Sequence, residues 1–294
     1  MRRLTAILMA ALMVFALAAC GQSSAPASTE AAAPAEAASV PSGVEDGVLT
    51  VAMEYAYAPY NWTQGDDSNG AVPIKDSAEF ANGYDVMMAK RICEANGWEL
   101  EVIKADWDSL VPGVQSRTYD AVIAGQSMTA ERSEQVDFAG PYLYASIVCL
   151  TLADSPFAAA QGISDLAGGS CTSQSATIWY DTMLPQIPDA NIQPAAESAP
   201  AMLMALETGT VDFVCTDMPT ALGAVAAYPD MVLLNFAGSD DDFAADEGDI
   251  NIGVSVFKGN TELLDAINAV LDPMTADDYN AMMADAIAVQ PLGA

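Results

Sequence analysis

The chain from residue 46 to residue 290 alternates short apolar runs rich in β-branched residues with longer runs that have helical spacing. Val48–Met53 is a strand-like run, and Val86, Ala89 and Cys93 then recur on one side of a predicted helix. This alternation continues along the segment, and it is typical of an α/β protein, in which helices cover the faces of a sheet. We therefore expect an α/β fold, and we find no tandem repeat within it.

Four local patterns are more specific. Asp85 is predicted to be the N-cap of a helix, because its side chain can accept from free backbone N–H groups. Tyr142–Leu152 is predicted as one long apolar strand. Residues 63–82 and 237–249 are rich in Gly, Asp and other polar residues, which predicts two long loops. The acids of the second loop lack the spacing of a calcium-binding loop, so no metal site is expected there.

The first twenty residues predict export and lipid attachment. Arg2 and Arg3 precede an apolar stretch, Leu4–Leu17, which is too short to remain as a membrane span. The string Leu17–Cys20 resembles the bacterial lipobox, which implies cleavage after residue 19 and diacylglycerol on the sulfur of Cys20. The alternative is an ordinary signal peptide with an incidental cysteine. We assign residues 1–19 to a lipoprotein signal peptide, which places the protein on the outer face of the bacterial cell membrane.

Residues 20–45 are predicted to form a tether. After the cysteine they consist mostly of Ala, Ser, Pro and Glu, which bury too little apolar surface to fold. About 250 residues remain for the folded part, enough for two modest domains.

The charge balance excludes several kinds of function. Lys and Arg number 9, Asp and Glu number 40, the net charge is −31, and histidine is absent. A Ser-His-Asp triad and histidine metal ligands are therefore excluded. We expect no nucleic-acid partner, because binding to phosphates depends largely on Lys and Arg. No cofactor is expected either.

The remaining cysteines, Cys93, Cys149, Cys171 and Cys215, lie in apolar surroundings. We favour buried free thiols, although the number also permits two disulfides. No Cys-x-x-Cys spacing indicates a metal site.

A polar segment after a predicted strand at Asp120–Ala124 has the composition of an anion site. Gly125 ends the strand, and Thr129 is predicted to cap a helix over 130–136 that contains Arg132. A guanidinium pairs with a carboxylate through two parallel hydrogen bonds, and a helix N-terminus also favours negative charge. The alternative is a surface arginine paired with a neighbouring glutamate.

The same segment carries a resemblance to a known family. The string from Ile123 to Arg132, followed by Val136–Phe138 and Pro141-Tyr142, resembles the signature of the family 3 bacterial extracellular solute-binding proteins. Further similarities follow in the family's order, at Leu49–Val51, Tyr57–Tyr60, Gly83–Asp85, Trp107–Pro112, Leu166–Gly168, Gln174, Thr177, Gly209–Asp212, Asp217 and Gly253–Leu263. The resemblance therefore covers about residues 46–290.

This resemblance implies the type II periplasmic-binding-protein fold, in which two α/β lobes are joined by two crossover strands and the ligand binds between them. It implies that lobe 1 comprises residues 46–143 and 251–294 and that lobe 2 comprises residues 147–240. Closure around a ligand is then a hinge movement.

The resemblance also implies a site for a zwitterion. Arg132 corresponds to the arginine that pairs with the ligand's α-carboxylate, and Asp217 to the acid that accepts from its α-ammonium. Glu54 lies where the family often has an acid near the ligand's side chain. Thr129 and Thr177 correspond to donors to the carboxylate. Ser127 and Gly125 correspond to neighbours of the acid that accepts from the ammonium, and Tyr57 and Trp107 correspond to aromatic walls of the site. The alternatives are core packing for the aromatic residues and a surface carboxylate for Glu54.

One departure concerns the second lobe. The family's Gly-Thr pair is Ala176-Thr177 in this chain, and a Cβ at Ala176 is expected to crowd the backbone where the carboxylate docks.

The resemblance implies a monomeric binding lipoprotein, without catalytic activity, that captures a free polar amino acid and delivers it to the permease of an ABC importer. One alternative is the ligand-sensing subunit of a signalling receptor, which requires a partner. The other is an enzyme on the same fold that dehydrates cyclohexadienyl acids such as arogenate. Such an enzyme needs an acid at the leaving hydroxyl, and Glu54 and Glu79 are the candidates.

Overall fold

The computed structural model describes residues 46–291. The predicted signal peptide, Cys20 and the tether lie outside the described residues. The strands are β1 (Val48–Met53), β2 (Ala56–Tyr57), β3 (Asn61–Gln64), β4 (Val72–Pro73), β5 (Phe80–Asn82), β6 (Glu99–Lys104), β7 (Ala121–Val122), β8 (Val136–Leu143), β9 (Ile147–Leu152), β10 (Ser170–Thr172), β11 (Asn191–Ile192), β12 (Phe213–Asp217), β13 (Met231–Leu234) and β14 (Ile252–Phe257). The α-helices are α1 (Tyr84–Asn96), α2 (Leu110–Gln115), α3 (Ala130–Ser133), α4 (Ala199–Glu207), α5 (Met218–Ala227), α6 (Glu247–Ile250), α7 (Thr261–Leu271) and α8 (Ala276–Val289).

The first sheet has the strand order β6-β1-β7-β14-β8. β1 is parallel to β6 and β7, whereas β14 is antiparallel to β7 and β8. Apolar side chains of β1, such as Val51, share a core with Ile92 of α1 and Ile267 of α7. A strand from the end of the chain thus completes a sheet that the first part of the chain begins.

The second sheet has the order β11-β10-β12-β9-β13. β10 is parallel to β11 and β12, and β9 is antiparallel to β12 and β13. Separate apolar clusters cover its two faces, one around Phe213 and Trp179 and the other around Val214 and Met202. Below, lobe 1 denotes the residues around the first sheet and lobe 2 those around the second.

The chain passes between the lobes twice, once between β8 and β9 and again between β13 and β14. The second passage returns the chain to lobe 1, which explains why β14 belongs to the first sheet. The residue limits predicted for the lobes stay a prediction.

Residues 63–82 are not the long loop that their composition predicts. β2, β3, β5 and β4 form a four-stranded antiparallel sheet between β1 and α1. These strands have two to four residues each, and Gly and Asp fill the turns, so the segment lacks a clear apolar alternation. The segment is stabilised by hydrogen bonds between its strands and by the burial of Trp62, which is 4% exposed.

Three other local predictions are also wrong. Tyr142–Leu152 is divided between β8 and β9, because the chain leaves the first sheet at residues 144–146 and enters the second. Asp85 is not an N-cap: Gly83 has that position, and Asp85 is fully buried. The helix predicted over 130–136 is a single turn, because Val136 already begins a strand.

The loop predicted at residues 237–249 is largely irregular and ends in α6. The four cysteines among the described residues are buried free thiols. Cys149 and Cys215 face each other across β9 and β12, and Cys171 belongs to the same core. Within residues 46–291, no helix has the length and hydropathy of a membrane span.

Candidate functional site

Arg132 lies at the boundary between the lobes. Its Nη1 donates to the carbonyl oxygen of Ser127 at 2.9 Å, and its Nη2 donates across to the carbonyl oxygen of Ala176 at 2.8 Å. The guanidinium also lies 5.5 Å from the ring centre of Trp107, within range of a cation–π contact. Burial lowers the pKa of Arg132 to about 10, so the group remains a cation at neutral pH.

The charge of Arg132 has no carboxylate partner among the described side chains. The two ion pairs found there join Lys75 to Glu101 and Lys258 to Asp137. Two neutral carbonyl oxygens therefore hold a half-buried guanidinium. Such a group is suited to a carboxylate from outside the chain, because its donor geometry fits both oxygens.

The segment that carries Arg132 is fixed by its own side chains. Thr129 caps α3 by accepting from the backbone N–H of Arg132 at 3.2 Å. The first backbone N–H of α3, at Ala130, donates to Asp249 at 3.0 Å. The resemblance assigns Thr129 to the ligand carboxylate, but its oxygen already serves the turn.

Gly125 brings the backbone of lobe 1 close to an aromatic wall. It has φ of +64°, and a Cβ there would lie 2.8 Å from Cε1 of Tyr57. Its backbone N–H donates to the hydroxyl of Tyr142 at 3.0 Å. Ser127 is 5% exposed and holds Arg132 through its carbonyl. Only glycine permits this approach without displacing Tyr57.

Asp217 is fully buried at the start of α5 in lobe 2. Its Oδ1 accepts from the backbone N–H of Thr220 at 2.8 Å, and its Oδ2 accepts from the hydroxyl of Tyr57 at 2.7 Å. Tyr57 belongs to lobe 1, so the second bond joins the lobes. A carboxylate oxygen can accept two hydrogen bonds, so an ammonium that reaches Oδ2 either shares this oxygen with the tyrosine hydroxyl or displaces it.

Burial acts on both members of this pair. It raises the pKa of Asp217 above its ordinary value, and it raises the pKa of Tyr57 well above its own. The phenol is thus a stable donor. Tyr57 also stacks on Tyr60, with ring centres 4.7 Å apart.

A small cavity lies between these groups. Its volume is about 10 Å³, room for about one water molecule. The lining combines six residues that the resemblance assigns to the site with two that it does not: Tyr57, Trp107, Gly125, Ser127, Arg132 and Thr177, together with Gln174 and Trp179. An amino acid needs more room than this cavity offers.

Lobe 2 contributes the opposite side of this cavity. Thr177 donates through its hydroxyl to the carbonyl oxygen of Gln174 at 2.7 Å. Ala176 has φ of +54°, a left-handed conformation that is costly for a residue with a Cβ. Ala176 thus adopts a backbone conformation that favours glycine, and its carbonyl oxygen accepts from Nη2 of Arg132.

Glu54 directly follows β1, is half-buried and interacts with Gln174, which lines the cavity. Its Oε2 is buried and has no hydrogen-bond partner, as is also true of Nε2 of Gln174. Burial raises the pKa of Glu54 to about 7, the Gln174 amide acts in the opposite direction, and Asp106 and Asp108 raise it further.

A wider cleft opens on the other side of Arg132. Its volume is about 580 Å³, and both lobes line it. Four carboxylates stand around it, those of Asp108, Glu131, Asp181 and Asp249. The approach to the site is therefore strongly acidic.

A buried polar network supports the cavity from lobe 1. Asp85 accepts from Nδ2 of Asn61 and from the hydroxyl of Tyr142, each at 2.7 Å. Tyr142 in turn accepts from the backbone N–H of Gly125. Burial raises the pKa of Asp85 to about 7. Asp85 thus positions the glycine that approaches Tyr57, a role that its place near a helix start did not reveal.

The two residues missing from the sequence-based site are Gln174 and Trp179. Gln174 belongs to the segment that resembles the family, but its residue type alone does not indicate a ligand contact. Trp179 lies in a π-helical turn, Trp179–Met183, and is 5% exposed. A buried tryptophan is ordinary core packing by sequence, so only its position shows that it lines the cavity.

Comparisons with known proteins identify the family of the chain. The model of the bacterial extracellular solute-binding proteins, family 3, matches residues 49–286. The arginine-binding extracellular protein ArtP of Bacillus subtilis is 30% identical over 170 residues, which cover 57% of this chain and 54% of that relative's length. The ABC transporter arginine-binding protein 1 of Escherichia coli is 26% identical over 203 residues, which cover 69% of this chain and 80% of the relative.

A similar solved structure is the amino acid ABC transporter substrate-binding protein AbpA of Streptococcus pneumoniae, bound to L-arginine. It has a TM-score of 0.66 and 26% identity, with coverage of 82% of this chain and 95% of that one. The predicted two-lobed α/β architecture, the type II periplasmic-binding-protein fold, is confirmed. The chain belongs to the bacterial extracellular solute-binding proteins, family 3.

Proposed function

We propose that this protein captures a free polar amino acid outside the cell and delivers it to the permease of an ABC importer. The observation that carries the proposal is the half-buried guanidinium of Arg132, which lacks a carboxylate partner among the described side chains and faces a cavity between two lobes. The ligand's α-carboxylate pairs with Arg132. Its α-ammonium replaces the Tyr57 hydroxyl at Asp217.

The remaining site residues surround this zwitterion. Tyr57 and Trp107 form walls, Thr177 offers a hydroxyl, and the backbone at Gly125 and Ser127 closes the lobe 1 side. Thr129 acts indirectly by holding the turn that carries Arg132. We further propose that the lobe limits are residues 46–143 with 251–294, and residues 147–240.

We also propose that the mature protein is a monomer attached to the outer face of the cell membrane through a lipid on Cys20. The family description is extracellular, which supports a location outside the cytoplasm. Two of the proteins named above, those of Escherichia coli and Streptococcus pneumoniae, are described as binding proteins of ABC transporters. Their descriptions support a role in binding without catalysis.

The test is a thermal-shift screen of the protein against the standard amino acids, with short peptides alongside. A ligand that binds only the folded state adds about 2.7 kcal/mol to the free energy of unfolding at a hundredfold excess over Kd. We expect a large rise in melting temperature with one or a few amino acids and no rise in Arg132→Ala. The absence of any shift in the wild-type protein contradicts the proposal.

One observation favours a second function enough to test it. Burial raises the pKa of Glu54 to about 7, and its neighbour Gln174 lines the cavity, an arrangement that suits a group that transfers protons. A dehydratase acting on arogenate or prephenate requires such a group. Incubation with either acid, followed by product analysis, distinguishes the two functions, and we expect no product.

A further inference from the structure

Two loops of lobe 1 that carry site residues each contain a residue in a left-handed backbone conformation. Gly125, which lines the cavity, has φ of +64°, and Tyr55, two residues before the cavity wall Tyr57, has φ of +59°. Glycine adopts this conformation without cost, whereas for tyrosine it is strained and persists only where neighbouring contacts fix it. The backbone of Tyr55 therefore depends on contacts that hold it.

One chain of hydrogen bonds joins these two backbone positions. At one end the backbone N–H of Tyr55 donates to Oδ1 of Asn61 at 2.6 Å. Nδ2 of Asn61 donates to Oδ2 of Asp85, and the hydroxyl of Tyr142 donates to Oδ1 of Asp85, each at 2.7 Å. At the other end the backbone N–H of Gly125 donates to the Tyr142 hydroxyl oxygen at 3.0 Å. We call Asn61, Asp85 and Tyr142 the Asp85 network, because both halves of the chain meet at this carboxylate.

The Asp85 network is enclosed by the core of lobe 1. Its three side chains are fully buried, so bulk water does not replace a bond that one of them loses. A buried donor or acceptor that loses its partner is destabilised, and the surrounding backbone shifts to restore a bond. A change at Asp85 is therefore expected to reach Tyr55 at one end of the chain and Gly125 at the other.

The network acts on the site without belonging to its wall. The lining of the cavity does not include Asn61, Asp85 or Tyr142. The two loops that the network joins do meet there, since a Cβ at Gly125 would lie 2.8 Å from Cε1 of Tyr57. A small shift of either loop therefore changes the contact between them.

We propose that the Asp85 network holds these two loops in the arrangement that binds ligand, so that Asp85 determines the affinity for an amino acid that it does not touch. Asn61, Asp85 and Tyr142 are thus positioning residues. When the loops are not held, only a fraction of the molecules has the binding arrangement, and the measured Kd rises by the inverse of that fraction. This inference rests on the proposed function, because the affinity for an amino acid is its main measure.

The donors and acceptors of the network determine what each single substitution does. Asp85 accepts at both of its oxygens, whereas an asparagine accepts at only one. Asp85→Asn therefore leaves either Nδ2 of Asn61 or the hydroxyl of Tyr142 without its acceptor. Asn61→Asp removes the donor between the two side chains and places two buried carboxyl groups against each other, which is unfavourable when both are ionised.

An exchange of the two residues restores every bond of the network. When Asn61→Asp and Asp85→Asn are combined, the new aspartate accepts from the N–H of Tyr55 with one oxygen and from the new amide with the other. The amide oxygen of the new asparagine accepts from the hydroxyl of Tyr142. Only the direction of the central bond is reversed, so we expect the double variant to regain most of the affinity that each single variant loses.

Calorimetry measures these affinities, with the standard amino acid that gives the largest thermal shift in the wild-type protein as the probe. Asp85→Asn and Asn61→Asp are each expected to weaken binding about tenfold or more. Tyr142→Phe, which removes only the hydroxyl between Asp85 and Gly125, is expected to have a similar effect. It keeps the ring that stacks on Tyr84, so it provides the test if Asp85→Asn does not fold.

A second buried acid of lobe 1 gives a matched control for stability. Asp120 joins two segments by accepting from the backbone N–H and the hydroxyl of Thr50, at 2.8 and 2.6 Å, but it does not line the cavity. Asp120→Asn is expected to lower the melting temperature and to leave Kd unchanged. If Asp120→Asn weakens binding as much as Asp85→Asn does, Asp85 acts through stability alone and the proposal is wrong.

Hydrogen exchange tests the same network without ligand. The backbone amides of Tyr55 and Gly125 are expected to exchange about tenfold faster in Asp85→Asn and to slow again in the double variant. Amides of β6, in the same lobe, are expected to keep their wild-type rates. An equal increase at β6 means that the substitution loosens the whole lobe, which contradicts a positioning role.

The outcomes separate this inference from the proposed function. If the wild-type protein binds an amino acid and neither Asp85→Asn nor Tyr142→Phe weakens that binding, the network does not position the site and the receptor function stands. A double variant that binds no better than Asp85→Asn alone also overturns the inference. If no amino acid binds to the wild-type protein, both are wrong.

Discussion

The hydroxyl of Tyr57 donates to Oδ2 of Asp217 at 2.7 Å, and this bond connects a residue of lobe 1 with the start of a helix in lobe 2. It occupies the acceptor that the resemblance assigns to the ligand's ammonium. We expect the ligand's ammonium to displace the tyrosine hydroxyl from this oxygen, and without ligand the bond joins the two lobes.

Tyr57→Phe is expected to strengthen ligand binding and to weaken the protein without ligand. A hydrogen bond to a buried charge contributes about 1.5–3 kcal/mol, so affinity is expected to rise by up to roughly 10- to 100-fold. The melting temperature without ligand is expected to fall. Calorimetry and thermal unfolding measure the two effects, with Tyr144→Phe, an exposed tyrosine, as the control. Weaker binding by Tyr57→Phe contradicts the competition.

Arg132→Ala is expected to lose nearly all ligand binding. Removal of one member of a desolvated charge pair costs about 2–5 kcal/mol, roughly a 30-fold to several-thousand-fold loss of affinity. Calorimetry with the amino acid found in the screen gives the value. Arg91→Ala, at an exposed arginine of α1, is the matched control. Normal binding by Arg132→Ala shows that the carboxylate binds elsewhere.

Asp217→Asn is expected to weaken amino acids more than analogues that lack the α-ammonium. The asparagine oxygen can still accept from the N–H of Thr220, so the start of α5 keeps its cap. Only the negative charge that attracts the ammonium is lost. Calorimetry with an amino acid and its deaminated analogue measures the difference. Equal losses for the two ligands mean that Asp217 does not contact the ammonium.

The free energy of unfolding is expected to fall as pH rises from about 4.5 to about 7. Burial raises the pKa of Glu54 and of Asp85 to about 7 in the folded protein, so the folded state binds more protons than the unfolded state in this range. Stability from these groups is present at low pH and is lost as they ionise.

Urea unfolding at several pH values measures this dependence. Self-repulsion among the many acids acts in the same direction, so the comparison with Glu54→Gln isolates one group. For Glu54→Gln we expect the free energy of unfolding to fall less steeply with pH than in the wild type. For Glu94→Gln, at an exposed acid of α1, we expect the wild-type slope. Identical slopes for wild type and Glu54→Gln contradict a raised pKa at Glu54.

Gly83→Ala is expected to destabilise the protein by roughly 2–5 kcal/mol. Gly83 has φ of +124°, and a Cβ there would lie 2.3 Å from the carbonyl oxygen of Tyr60, so backbone strain and overlap add. Gly97→Ala is the matched control. Gly97 has φ of +71° with nothing within 4 Å of an added Cβ, so about 1–2 kcal/mol is expected. If urea unfolding gives equal losses of unfolding free energy for the two variants, the overlap with Tyr60 is relieved at no cost.

The sequence predicted the architecture because one chain is enough to show the alternation of apolar runs and the order of the short family motifs. Strand β1 has the predicted bounds, Val48–Met53, since its apolar run ends at the charged Glu54. The small sheet of β2–β5 was missed because two-residue strands have no measurable period. Tyr142–Leu152 was predicted as one strand because the residues on both sides of the crossover are apolar, so the sequence does not show the break between β8 and β9.

For the site, the resemblance selected nine residues, and six of them line one cavity, whereas Asp217, Thr129 and Glu54 do not. Their roles stay predictions. The hydrogen bond from Tyr57 to Asp217 joins residues 160 positions apart in the sequence, and it depends on how the two lobes meet. The unpartnered atoms of Glu54 and Gln174 likewise exist only in three dimensions. Asp85 was placed at a helix start by its neighbours in sequence, whereas its partner Tyr142 lies 57 positions away.

The three thiols in the core of lobe 2 have a practical consequence. Cys149, Cys171 and Cys215 pack as small apolar side chains, so the described fold is complete without any cross-link. Folding therefore needs neither an oxidant nor a disulfide isomerase. The chain without its leader is expected to reach the same structure in a reducing cytoplasm, where it can be produced for each of the measurements above.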